Sequence, residues 1–474
     1  MNYSVFGKKT IKDILKVLFS NVVKLFAGIL VGFLIPKILG LTDYAYYKTF
    51  QLYATYVGIF HFGIVDGIYL KYGGIKFENI DKNAFKYYSK ILFFLEIIIT
   101  LIGAFIALKF LKNEYKFIFL MISVYIFCYN ITGYFQTISQ ITERFDELSI
   151  RNIIQSCLNV ISVIVLWILS KNEIQVNYRL YTSIFVFIQF LLSIWYIITY
   201  RSISFFNIKN KGNRKEIFYF IKVGLPLLIS NLCLLIFLNL DRQFVNVLYP
   251  IEKFPNTYAT YAFAYNLLTL ITTATSAISI VLYPSLKRTK EEEVNSSYNK
   301  YVTIIISIVF ICLLVYYPLC WFINWFLPKY VDSLIIFRII LPGLILSSIV
   351  TIINHNYFKI LNKNIIFFMI SIVILVVGFM ANFLAYILVK EPYSISIASV
   401  IVLLLWYFIT TIYFVVKYKV KWIKNFIFVI VSILSFYLIT IIDNVYLGFL
   451  LQVIISFIIV YIFNFKNVND FFRK

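Results

Sequence analysis

The fold class this chain predicts is an all-α polytopic membrane protein, with about fourteen transmembrane helices counted as apolar runs of spanning length. Three observations predict it. Hydrophobic residues make up 62% of the chain and charged residues 14%, whereas soluble domains carry about 25% charged residues. Apolar runs of about 20 residues, the length that crosses the hydrocarbon core, recur from end to end. The runs lack strict polar/apolar alternation, so of the two structures that satisfy their backbone in lipid, helices and closed barrels, helices fit.

The elements follow from apolar runs set against charged breaks. The first span, 14–36, comes after Lys8, Lys9 and Lys12 and so resembles a signal peptide. Its apolar run is too long for an h-region and no small-residue cleavage site follows, so it reads as a span. Spans 45–69 and 88–110 flank the basic stretch Lys71–Lys90, and 116–138 and 150–169 flank Arg144 and Arg151. Spans 180–200 and 218–248 are separated by "RSISFFNIKNKGNRK" (201–215), and 259–283 and 301–326 by "KRTKEEEVNSSYNK" (287–300). Spans 333–354 and 364–389 flank Lys359 and Lys363, 394–416 and 423–442 flank Lys417–Lys424, and only "DNV" separates 423–442 from 445–464.

The loops test this count. With both termini in the cytoplasm, alternate connections on that side hold about thirty Lys and Arg against about eleven outside, as the positive-inside rule requires. A missed helix before the midpoint would scramble that alternation. Single cysteines at Asn113, Asn172 and Glu391 are therefore expected to label from outside the cell, and those at Asn210 and Ser296 are not. Outside labelling at Asn210 would overturn the topology. The formal charge of +22 is explained by these loops, with no compact basic face for nucleic acid. Cys128, Cys157, Cys233, Cys312 and Cys320 read as small buried hydrophobes. His61 and His355 have no partners at metal-ligand spacing, and no cofactor site is predicted. No loop is large enough for a catalytic domain, which argues against a membrane glycosyltransferase or polymerase.

The domain division expected is a six-helix lobe at 1–200, a basic cytoplasmic linker at 201–217, a second six-helix lobe at 218–416, and two further helices with a tail at 417–474. A faint repeat supports the two halves: Ser20–Asn21 and Ser230–Asn231 fall at the same depth of spans one and seven. Repeated bundles are the usual build of secondary transporters.

Four stretches carry a resemblance: "IPKILGLTDYAYYKTFQL" (35–52), "GIVDGIYLKYG" (63–73), "VGLPLLISNLCLLIFLNLDRQFVN" (223–246) and "YAFAYNLLTLITTATSAISIVLYPSLKR" (261–288). In order and spacing the chain resembles the Wzx-like O-antigen and capsule flippases. These form the polysaccharide-transporter branch of the multidrug/oligosaccharidyl-lipid/polysaccharide flippase superfamily. The resemblance implies two six-helix lobes around a central cavity plus two C-terminal helices. It also implies flipping of undecaprenyl-pyrophosphate-linked oligosaccharide across the bacterial cytoplasmic membrane by alternating access, without enzymatic chemistry. Membrane lipids, and a polysaccharide polymerase and glycosyltransferases, are the partners it suggests. Rivals within the superfamily are a lipid II or teichoic-acid-precursor flippase and a drug exporter. The exporters tend to place a carboxylate in the first helix, where this chain has Lys24. A major-facilitator transporter is disfavoured, because "GIVDGIYLKYGGIK" lacks its loop signature.

Intramembrane ionisable residues are the candidate site, since they are costly in lipid. Lys24 lies eight residues beyond Lys16, roughly 12 Å deeper along a helix, on a face with Ser20, Gly28 and Gly32; Asn21 adjoins it. A cavity role and a structural ion pair are both open for it. Asn231, Asn239, Arg242 and Asn246 fall within an arc of about 80° on a straight helix, so Arg242 reads either as a cavity cation or as an outer-interface anchor. Asp241 is expected to point away from that stripe, pairing elsewhere or titrating during transport. Arg338 is a further candidate for substrate binding, with snorkelling to the outer interface as the other account. Glu96 and Asp66 are candidates for ion coupling or ion pairing, Asp66 with Lys71. Thr272, Thr273, Thr275, Ser276 and Ser279 read as sugar contacts or as helix–helix hydrogen bonds.

Overall fold

The computed structural model describes residues 8–206, 213–287, 294–361 and 363–472. Among them it holds helices and turns and no strand. Ten helices are long and apolar enough to cross a membrane, or eleven if a bent pair at Ser333–Ile340 and Gly343–Ile360 counts as one span. The other three expected windows are helical as well: a broken one at 41–72, the helix Pro255–Lys287 and the shorter apolar helix Ile423–Ile439. Part of the basic linker, residues 207–212 with Asn210, lies outside the described residues, as do the side chains of Ser276, Ser279 and Ser296. The chain divides into two compact units, Met1–Leu235 and Ile236–Lys474.

The first unit contains α1 (Lys8–Ile38), α2 (Leu41–Ala54), α3 (Ile64–Tyr72), α4 (Lys82–Phe110), α5 (Asn113–Ile141), α6 (Phe145–Lys171), α7 (Tyr178–Thr199) and the start of α8 (Arg214–Leu248). α1 lies along α6, and α5 packs between α4 and α7. Contrary to expectation, the second window is not one helix. α2 stops at Ala54, Val57–His61 form a 3-10 turn, and Phe62 and Gly63 take left-handed φ values of 48° and 78° before α3 begins. The Gly63 N–H donates to His61 Nδ1 at 3.1 Å, which ties the turn together. Glycine adopts this conformation without the Cβ penalty, and an apolar run hides it from a hydropathy reading.

α3 then meets α8 backbone against backbone. A Cβ at Gly63 would stand 2.5 Å from Leu225 N, one at Gly67 2.5 Å from Phe220 Cα, and one at Gly224 2.6 Å from Gly67 N. Two of the motifs quoted above, "GIVDG" and "VGLP", are thus the two sides of one contact, where small residues let helices approach closely. Ile68, Phe85, Tyr88, Phe135, Tyr200 and Phe220 belong to the buried apolar cluster at this crossing.

The second unit holds the end of α8, then α9 (Pro255–Lys287), α10 (Val294–Cys312), α11 (Tyr316–Phe326), α12 (Ser333–Ile340), α13 (Gly343–Ser348), α14 (His355–Ile360), α15 (Asn364–Val389), α16 (Pro392–Tyr418), α17 (Ile423–Ile439) and α18 (Val445–Phe472). The window 333–354 is also irregular. It bends by 46° between α12 and α13, where Pro342 supplies no backbone N–H, and then carries a π-helical stretch, Ile349–Asn354. Asn354 is buried there, accepting from the Tyr298 hydroxyl at 2.7 Å and donating to Thr410 Oγ1 at 2.8 Å. Large apolar side chains stand bare along α4 (Ile98, Leu101, Phe105) and α15 (Met380, Phe383, Leu388). Water would not tolerate such faces at this extent; a bilayer covers them.

Candidate functional site

The second unit holds a cavity of about 370 Å³ between the end of α8, α9, the bent segment α12–α13 with its π turn, and α16. Each helix contributes by its own periodicity. α8 offers Phe237, Leu238, Asp241 and Arg242, an arc of about 140° at the helical angle per residue. α9 offers Tyr265 and then Thr269, Thr272 and Thr275 at threefold spacing, which keeps three hydroxyls on one face. The bent segment adds Ser347, Ser348 and Thr351, and α16 adds Ser399.

Most of these hydroxyls spend their proton within the protein. Thr269 donates to the Tyr265 carbonyl at 2.8 Å, Thr272 to Thr269 at 2.9 Å, Thr275 to Thr272 at 3.1 Å and Thr351 to Ser347 at 2.7 Å. Ser399 donates to Asn382 Oδ1 at 3.2 Å. Each hydroxyl oxygen keeps lone-pair capacity, so the wall can accept hydrogen bonds from a ligand rich in hydroxyl donors.

Arg242 is the one cation among the cavity's lining residues. Its guanidinium carbon lies 4.7 Å from the centre of the Tyr265 ring, and Nη2 donates to the Leu238 carbonyl at 3.2 Å. Nε is buried without a partner. Asp241 lines the same cavity, which corrects the expectation that it points away. A cavity wider than the 100° step between neighbours takes both. Both Asp241 oxygens are engaged by protein donors: Oδ1 by the Arg242 backbone N–H at 2.8 Å, Oδ2 by the Tyr261 hydroxyl at 3.1 Å. Tyr261 in turn accepts from Ser396 Oγ at 3.0 Å. The carboxylate is thus held back, and the guanidinium keeps donors to offer.

The other predicted residues lie elsewhere. Asn239 and Asn246 are buried in packing and do not line the cavity. Arg338 Nη1 reaches the Thr440 carbonyl at 3.3 Å, at the C-terminal cap of α17, where a cation meets the negative end of the helix dipole. Asn231, in the first unit, is exposed. Lys24 is exposed on α1 and has no ion-pair partner among the described residues. It lies roughly 120–160° around the helix from bare Phe19, Phe26 and Leu30, so it does not share their apolar face. Asn21 is half-buried. Asp66 does not pair with Lys71, which instead bonds Glu216 at 2.7 Å; Asp66 stands 3.8 Å from His61 Nε2. Glu96 is fully buried and bonded by Asn130. Sequence reasoning misses Ser347, Ser348, Ser399 and Thr351, because isolated hydroxyls on separate apolar helices carry no local signal.

Residues 10–290 match the family model described as polysaccharide biosynthesis protein. No curated protein matches the chain. Among solved structures, the lipid II flippase MurJ in an inward closed conformation superposes with a TM-score of 0.71 at 16% identity, over 98% of this chain and 100% of that one. An inward-facing multidrug resistance MATE family transporter of the MOP superfamily gives 0.61 at 14% identity, over 83% and 93%. A MOP superfamily transporter from Pyrococcus furiosus gives 0.51 at 12% identity, over 85% and 95%. At such identities the likeness is one of fold.

Proposed function

The chain belongs to the polysaccharide biosynthesis protein family, and from that membership we propose that it is a flippase for undecaprenyl-pyrophosphate-linked oligosaccharide repeat units. It moves them across the bacterial cytoplasmic membrane by alternating access, for O-antigen or capsule assembly. Both termini face the cytoplasm, and glycosyltransferases and a polymerase act before and after it. The transporter-type fold supports this reading. The observation that carries it is the cavity of the second unit, with one cation whose donors are open and a wall of hydroxyl acceptors.

That combination suits a pyrophosphate joined to a sugar. A pyrophosphate leaving water needs charge-assisted bonds, which a guanidinium supplies. The ring hydroxyls of the adjoining sugar donate to the threonine and serine oxygens. A cavity of about 370 Å³ is at the lower end of small-molecule sites, enough for the linkage and its nearest sugar. Exposed Lys24 and half-buried Asn21 on α1 form a separate cationic, polar surface within the first unit.

The test is reconstitution. Purified protein in liposomes is expected to move a lipid-linked glycan between leaflets with its covalent structure unchanged. Sugar transfer or chain growth by the isolated protein would refute the transporter reading. Lipid II is the second reading, because the MurJ superposition spans nearly the whole chain. Offering both lipids to the same liposomes separates the two by their relative rates.

A further inference from the structure

Glu96 sits at the middle of α4 and is wholly buried. Its Oε2 accepts from Asn130 Nδ2 at 3.0 Å, and its Oε1 has no partner. The same Asn130 amide nitrogen donates to the carbonyl of Val57 at 3.1 Å, the residue that opens the 3-10 turn in the broken second window. Asn130 Oδ1 is likewise buried without a partner. The elements packed on this part of α4 are α5 and that turn, and the segment after α7, which carries Tyr200 and Arg201, meets α4 one turn away through Phe205 and Phe93. The other titratable groups are Glu114, Tyr115, Lys116, Tyr125, Cys128, Tyr129 and Tyr134 on α5 and His61 on the turn. None of them bonds Glu96, and no described Lys, Arg or His lies within ion-pair distance of it.

A bare carboxylate cannot stay charged in such a place. Burying an unpaired charge costs far more than one amide hydrogen bond returns. Either the carboxyl carries a proton or a cation shares its oxygens. A desolvated sodium ion needs more oxygens than the two that Glu96 and Asn130 leave open. We propose that Glu96 is a proton-binding site, occupied in this conformation and linked through Asn130 to the break in the second window. When the proton leaves, the carboxylate draws the Asn130 NH2 group more strongly and thereby pulls on the bond that its second hydrogen makes to Val57. The proton and the turn thus bias each other, as two ligands of one element must.

The proposal does not depend on the cargo, and it can be read without transport. Native protein is made with glutamate carrying 13C at the side-chain carboxyl, placed in liposomes, and examined by infrared difference spectroscopy from pH 7 upward. Glu96 is the one fully buried glutamate among the described residues. One protonated glutamic-acid carbonyl is expected at neutral pH, lost on raising the pH and unchanged when NaCl replaces KCl. Glu96→Gln, which keeps an oxygen for the Asn130 amide, is expected to remove that signal. If all glutamates read as carboxylates at neutral pH, the proposal fails. A signal that sodium abolishes, or that survives in Glu96→Gln, overturns it equally. The labelled native protein is decisive by itself, so poor folding of the variant leaves the test intact.

Discussion

Arg242→Gln is expected to cut movement of the lipid-linked pyrophosphate by roughly 10–150-fold, the equivalent of one lost charge-assisted contact of about 1.5–3 kcal/mol. Insertion and abundance should stay near normal. The guanidinium is no one's partner in a salt bridge among the described residues. Its protein contacts are the Tyr265 ring and a carbonyl one turn back on its own helix, so glutamine breaks no ion pair. Asp241 keeps its bonds to Tyr261 and to the backbone. Arg242→Lys should fall between the two, since it keeps the charge but loses the planar face over Tyr265 and the forked donors. Lys24 is the companion case. Lys24→Gln is expected to lose more than Lys24→Arg, because its exposed position off the apolar face of α1 asks for charge more than volume. The measurement is surface glycan restored in a flippase-null strain, normalised to protein level. Full restoration by both glutamine variants would end the cationic reading of these positions and leave the family assignment standing.

The contrast between Arg242 and Glu96 shows what a membrane sequence makes legible. The bilayer forces every span to be apolar for a fixed length, so the helical windows can be read one at a time, and each is helical in the structure. A single costly cation near a span end announces itself in the same way. What a residue faces is a property of several helices at once. Helical angle alone sends Asp241 to the wrong side, because it gives directions but not the width of the space they open on. Glu96 is legible as an acid in a span, but its lack of a counter-charge depends on α5 and the 3-10 turn. The breaks at Phe62–Gly63 and Leu341–Pro342 are invisible for a further reason. Lipid-facing and buried side chains are equally apolar, so hydropathy runs unbroken through a helix that is not.

Gly224→Ala is expected to have a structural effect of the largest size, although it adds a single methyl group. The new Cβ would lie 2.6 Å from the Gly67 backbone nitrogen, a contact with main chain, which cannot rotate away as a side chain can. Relief requires α3 and α8 to separate, and that opens the buried apolar cluster beside them, to which Ile68 and Phe220 belong. Overpacking a tight core costs about 1–3 kcal/mol and occasionally more; with backbone on both sides the upper end applies. Gly67→Ala meets Phe220 in the same crossing, and Gly63→Ala adds a left-handed φ of 78° to its own clash. Because the three share one contact, a double variant should cost less than the sum of its singles. Gly40→Ala is the control, with open space around the added methyl. Thermal unfolding of the detergent-solubilised protein, followed by size-exclusion chromatography, should show Gly224→Ala and Gly67→Ala strongly destabilised and Gly40→Ala close to native. Native-like stability in Gly224→Ala would mean that the α3–α8 crossing is looser than its glycines indicate, and that "GIVDG" and "VGLP" pair for some reason other than close approach.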